Sequence, residues 1–363
     1  MKMDTWEMPA ARVVVSLFRD LLHGRAERAR ALLRETDPRL VAQACKRHKC
    51  CALLHWLLQK NGIQLDGFLG DYLRSAFFAN WTRNRELLLI WNEVASALEV
   101  EACRPLAWKG LSLASRVFGN LACRRISDLD VIVPREKLSE AGRVLERLGY
   151  RYHSRSLGRS PIGLRWAHAV EFQREDGQKV DLHHALRRHP TFKLASPSLW
   201  EHSERWEIGE NFYAVPGPED TLLGLLLELQ DDIGRGGSHL RVLVDLWFTL
   251  EANRGIDWEQ FLEARRAERT DLVVLNGLTM FMILTEGREH FPALQTFLGN
   301  NRLQILPVGE DEALRLFCNR TWSYGKLWAW RQYRCSLWRA CLEWMISLPF
   351  RLAAFGRIKN RAS

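Results

Sequence analysis

The chain has 363 residues, 47% of them hydrophobic and 26% charged. That ordinary globular balance excludes a disordered or fibrous polymer and leaves room for two or three packing units. Lys and Arg number 52 against 43 Asp and Glu, a formal net charge of +9, which favours an anionic partner: a nucleotide, a nucleic acid or an acidic membrane surface. No apolar run reaches the ~20 residues of a membrane-spanning helix. Asp4 and Glu7 precede the only early apolar stretch, against a signal peptide. Eight scattered cysteines without a C-x-x-C pair read as reduced thiols. A cytoplasmic location is therefore expected.

Residues 1–103 read as an N-terminal helical region. Asp37-Pro38 has the form of an N-cap followed by proline at the first helical position. The apolar run it opens continues through Leu53, Leu54, Leu57 and Leu58 until Asn61-Gly62 stops it. A long helix is expected over 71–98. The texture then changes. Residues 104–215 alone mix strand and helix patterns: a short strand at 106–108, a strand over 126–133 closed by Pro134, and a helix over 136–148 ended by Gly149. A hairpin of 168–173 with 178–182 turns at Glu175-Asp176-Gly177. Residues 216–319 return to helices, expected at 221–232, 240–251, 258–269 and 272–284. The fold class is therefore α+β and mostly helical, with a small mixed sheet between helical flanks.

Three aspartates carry the chemical signal. In Ile126-Ser-Asp128-Leu-Asp130-Val a strand would put both carboxylates on one face, with Leu129 and Val131 on the other. Like charges so close need a cation between them, and hard oxygen ligands suit Mg2+ or Mn2+. Asp181, between Val180 and Leu182, offers a third carboxylate from another strand. Upstream, Lys109-Gly110-Leu111-Ser112 ends a strand with a glycine, where backbone N–H groups can approach phosphate oxygens. Lys109, Arg124 and Arg125 add positive charge nearby. His183 and His184 read either as substrate contacts or as structural strand-end residues.

Taken in order, Lys109-Gly110-x-Ser112, Arg125-x-x-Asp128-Leu-Asp130-Val, Leu148-Gly149-Tyr150 and Val180-Asp181-Leu182-His183 resemble the uncharacterised bacterial nucleotidyltransferase family of the DNA-polymerase-β-like superfamily. The match covers about 104–190, with the flanks similar more loosely. The resemblance implies that Asp128 and Asp130 hold two Mg2+ (or Mn2+) ions and that Asp181 completes the metal site and helps activate an acceptor hydroxyl. It also implies that Gly110 and Ser112 hold the β- and γ-phosphates of a nucleoside triphosphate. Lys109 and Arg125 join them as phosphate neighbours on the ground of charge and position. The acceptor is left open among a small molecule, a glycan precursor, a peptide and RNA, a toxin-like action on tRNA being one alternative. A non-catalytic nucleotide- or partner-binding descendant is the other.

The tail, 320–363, holds nine Lys and Arg against one acid, Glu343, and five of the fifteen tryptophans. Its balance of +8 suits peripheral contact with the inner face of a membrane, a nucleic acid strand, or a helix packed on its own domain.

Overall fold

A computed structural model describes residues 7–152, 169–186, 192–194, 198–235, 240–318 and 332. The tail is therefore, apart from Gln332, outside the described residues. Five helices come first: α1 (Glu7–Leu22), α2 (Ala26–Glu35), α3 (Pro38–Arg47), α4 (Cys51–Lys60) and α5 (Gly67–Val100). The Asp37 carboxylate accepts from the Arg39 backbone N–H at 2.8 Å, the expected cap with Pro38 in the first turn. The run expected to be continuous from 38 to 60 divides into α3 and α4, because Lys49 takes a left-handed φ of +54° that no helix interior tolerates.

The sheet has the order β1-β2-β5-β4-β3, built from β1 (Leu106–Trp108), β2 (Leu129–Ile132), β3 (Arg151–Tyr152), β4 (Ala169–Gln173) and β5 (Lys179–His183). Only the β2–β5 pair is parallel; the other three are antiparallel. The β4–β5 hairpin turns as its sequence predicts, with Gly177 at φ +87° and the Asp176 carboxylate accepting from the Gln178 N–H. Among the described residues, the α-helices lying between these strands are α6 (Gly110–Arg116) and α7 (Leu138–Arg147). Strand β2 is shorter than the expected 126–133, so Asp128 stands just before it rather than on it.

Alternation along the strands creates two faces with different fates. Leu129, Val131, Val170, Phe172, Val180 and Leu182 enter one core with Leu87, Trp91 and Val94 of α5 and Val144 and Leu145 of α7. Trp108 and Ile132 belong to a second core, which joins α1 and α4 to the helices that follow the sheet. Those helices come after α8 (Ser198–Glu201) and the two-stranded hairpin β6 (Glu204–Ile208) and β7 (Asn211–Val215). They are α9 (Pro218–Arg235), α10 (Leu240–Ala252), α11 (Trp258–Glu268), α12 (Asp271–Thr285), α13 (Pro292–Asn300) and α14 (Glu310–Cys318). No helix among the described residues is long and apolar enough to cross a membrane.

Helix α9 approaches the sheet closely at Gly224. A Cβ there would lie 2.2 Å from Cη2 of Trp108, so only glycine lets the helix backbone pass the indole. This contact sets how near α9 comes to the polar face of the sheet. Gly224→Ala is expected to destabilise the protein by about 1–3 kcal/mol through overpacking, read as a lower denaturant midpoint with unchanged m-value.

Candidate active site

Helix α5 holds the segment that carries Arg124 and Asp128. Asn80 Nδ2 donates to the Ala122 carbonyl at 3.1 Å, and the fully buried Asn84 donates to the Arg124 carbonyl at 2.8 Å. Next to Asn84, Arg83 donates to the carbonyls of Ile126 and Ser127 at 3.2 and 3.0 Å. An irregular stretch thereby has its backbone acceptors satisfied by side chains instead of by a sheet ladder.

The parallel pairing of β2 with β5 sets Asp130 directly opposite Asp181, and the antiparallel pairing of β5 with β4 sets Asp181 opposite Glu171. Three acids thus form a row across the centre of the sheet, on the face turned away from α5 and α7. One step along, His183 pairs with Ile132, and its Nε2 lies 2.9 Å from Asp130 Oδ1. One ligand atom from each of Asp130, Asp181 and His183 lies within 4.8 Å of the others. Asp128 sits beside this group, its carboxylate accepting from the Ser127 hydroxyl at 2.8 Å; it feels the charge of Asp130, and its own charge is felt at Asp181.

Burial and mutual repulsion drive the carboxyls apart in acidity. Burial pushes Asp181 up to about 8, helped by the charges of Asp130, Asp128 and Glu171, with Lys179 opposing. Burial and Asp130 also raise Asp128. Burial acts on Asp130 in the same direction, but the hydrogen bond and charge of His183, with Lys109, outweigh it and hold Asp130 below the usual carboxylate range. At neutral pH the ion-free site therefore pairs an ionised Asp130 with a mostly protonated Asp181. Glu171 is tied to Lys179 at 2.7 Å at the site's edge.

The cationic side is equally built. Lys109, between β1 and α6, takes φ +47°, a backbone conformation unusual for a residue with a side chain. Its Nζ lies 2.9 Å from Glu228 Oε2 on α9. Glu228 in turn meets Arg241 at 3.1 Å, Arg241 meets Asp245 at 3.4 Å, and Asp245 meets Arg124 at 3.2 Å. Asp245 and Arg124 are almost wholly enclosed, with side-chain exposures of 0% and 4%. This alternating series places positive charge behind Asp130, whose field is felt at both Arg124 and Arg241. Glu228 is held far below the ordinary range because the charges of Lys109, Arg241 and Arg124 outweigh its burial. Gly110 and the buried Ser112 open α6 directly after Lys109. A Cβ on Gly110 would come within 3.1 Å of the Ile126 side chain.

Of the residues singled out in the sequence, the structure brings Asp130 and Asp181 together, sets Asp128 alongside, and places Lys109, Gly110 and Ser112 on the adjoining β1–α6 turn. It does not bring Arg125 to them. That side chain is exposed, and its charge is felt at the Cys51 thiol on α4. Arg124 is the arginine behind the carboxylates. Sequence reasoning misses Glu171, Glu228 and Arg241, and it leaves His183 undecided. Alternation in Ala169–Gln173 is a usable signal for Glu171; nothing local marks Glu228, which becomes relevant only when α9 packs on the sheet.

The chain belongs to the uncharacterised nucleotidyltransferase family, whose model matches residues 34–284. It is accordingly a transferase of the nucleotidyl class. Among solved structures, the chain is similar to ANT(2")-Ia in complex with adenylyl-2"-tobramycin, at 14% identity over 51% of this chain and 97% of that one, with a TM-score of 0.37. A second similarity is to an antigenic nucleotidyltransferase-like protein from Paracoccidioides brasiliensis, at 14% identity over 59% and 93% of the two chains, with a TM-score of 0.35. No curated protein matches.

The raised Asp181 has a stability consequence. Its folded value near 8 exceeds the unfolded value of about 3.9, so the folded state binds the proton more tightly, and stability falls as pH rises from about 4 to about 8. Asp181→Asn removes that fall. In the absence of divalent ions, its melting temperature should exceed the parent's by roughly 5 °C at pH 8 and match it below about pH 4, as read by calorimetry across the range.

Proposed function

We propose that the protein transfers a nucleoside monophosphate from a nucleoside triphosphate to an acceptor hydroxyl, with Mg2+ or Mn2+ as cofactor. The observation that supports this best is the juxtaposition of Asp130 and Asp181 across β2 and β5, with Asp128 beside them, in a chain of the nucleotidyltransferase family. The residues present fit divalent cations: hard carboxylate oxygens converge, and Asp181 carries a repulsive burden that a cation relieves. When bound, such ions supply charge neutralisation at the attacking and leaving oxygens. Asp128, Asp130 and Asp181 would hold them.

The chain's own groups do the rest. Lys109, with Gly110 and Ser112, binds the β- and γ-phosphates, and Arg124, rather than the exposed Arg125, supplies the arginine charge behind the carboxylates. Asp181 orients the acceptor hydroxyl and takes its proton once the site is loaded. The acceptor oxygen forms its bond to the α-phosphorus as the bond to the β-bridging oxygen breaks. Pyrophosphate leaves with that electron pair. Alternating buried charges behind Asp130, three cations to two anions, offset part of the carboxylates' repulsion toward a triphosphate. The segment 320–363, at +8, is proposed to bring the enzyme to an anionic membrane surface from the cytoplasmic side.

Incubation with each labelled triphosphate, Mg2+ or Mn2+, and an extract separated into small molecules, glycan precursors, peptides and RNA tests the activity and names the acceptor. Label should enter one fraction only with a divalent ion. The double variant Asp128→Asn with Asp130→Asn should lower that transfer by at least about 10³-fold. Transfer retained by the double variant would rule the proposal out.

A further inference from the structure

We propose that Asp130, Asp181 and His183 form a mixed oxygen–nitrogen site for one first-row transition dication, Mn2+ in preference to Mg2+, with His183 supplying the nitrogen ligand. The inference rests on the reading of this cleft as a cation-dependent site and deepens it by naming the ion class and a ligand outside the aspartate set. Three observations carry it. The donor atoms of the three residues converge, all lying within 4.8 Å of one another. The 2.9 Å between His183 Nε2 and Asp130 Oδ1 matches the roughly 3 Å between neighbouring ligands of a six-coordinate ion with ~2.1 Å bonds. His183 is also buried, on an interior strand paired on both sides with β2 and β4.

The donor set then selects the ion. Mg2+ takes oxygen ligands and gives up water reluctantly, whereas an imidazole nitrogen shifts preference toward transition metals. Mn2+ accepts two carboxylates and an imidazole together. The competing arrangement leaves His183 outside the coordination sphere as a hydrogen-bond donor that steadies Asp130. It makes no metal–nitrogen bond, so spectroscopy separates the two.

The test uses the full chain without nucleotide. Mn2+ is titrated while the free-ion electron paramagnetic resonance signal is followed, and pulsed measurements on the bound ion look for nitrogen hyperfine coupling. The expected result is one tightly bound Mn2+ with nitrogen coupling that changes when histidine carries the heavy nitrogen isotope. His183→Asn should abolish the coupling and weaken Mn2+ binding at least tenfold, while Mg2+ affinity, read by competition, changes less than about threefold. Bound Mn2+ without nitrogen coupling in the parent protein would overturn the inference, as would no Mn2+ binding or equal losses for both ions. The isotope arm needs no variant: nitrogen coupling that does not respond to the histidine label overturns the inference even if His183→Asn fails to fold. Nucleotide transfer with Mg2+ and no nitrogen coupling sinks this inference alone; nitrogen-coupled Mn2+ without any transfer sinks only the proposed activity.

Discussion

One pairing organises the functional face: the parallel alignment of β2 with β5, in a register that sets Asp130 against Asp181. A slip of one residue would turn Leu129 or Val131 toward the acid face and bury a carboxylate among Trp91, Val94 and Val144. The apolar alternation of both strands forbids that slip, because the lost burial and the stranded charge would each cost several kcal/mol. The same hydrophobic pattern that packs the sheet against α5 and α7 therefore forces two mutually repelling groups together. Stability and chemistry are set by one register.

That register creates an electrostatic problem which the rest of the fold answers in layers. His183 lowers Asp130 from within the sheet, and Lys109 adds positive charge from the neighbouring turn. Behind them Glu228, Arg241, Asp245 and Arg124 alternate in sign, contributed by α9, α10 and the loop that α5 clamps. A buried ion pair adds little net stability by itself, yet removal of one partner leaves an uncompensated charge at a cost of about 3–5 kcal/mol. The series therefore couples the helices to the sheet: disturbing α10 at Asp245 releases a guanidinium next to the carboxylates. The strained backbone at Lys109 fits the same picture, since both its turn and its side chain are held by packing from elsewhere.

Much of this is legible in the order of the amino acids. Asp37-Pro38, the β4–β5 turn at Gly177, four of the six described helices from residue 218 onward (α9 to α12) and the three aspartates all announce themselves through short-range chemistry: capping, positive φ and alternation. The β6–β7 hairpin escapes that reading, although Gly209 at φ +72° between two short alternating runs is the same signal. Alternation extends β2 back through Asp128, whereas Arg83 and Asn84 of α5 capture the backbone ahead of the strand and end the ladder early. Choosing between Arg124 and Arg125 is beyond sequence reasoning, since adjacent residues of an irregular segment have no periodicity to assign their faces.

By itself the sequence determined what is local: which stretches are helix or strand, which face of each strand is apolar, and that aspartates occupy the polar face. Only the tertiary structure decided which of those polar residues meet. Strand register brings Glu171 and His183 to the aspartates, and helix docking at Gly224 brings α9, with Glu228, to the same face of the sheet. The reason is physical. Propensity and alternation act over a few residues, whereas a charge about 120 positions away along the chain matters only after packing has removed the water between them.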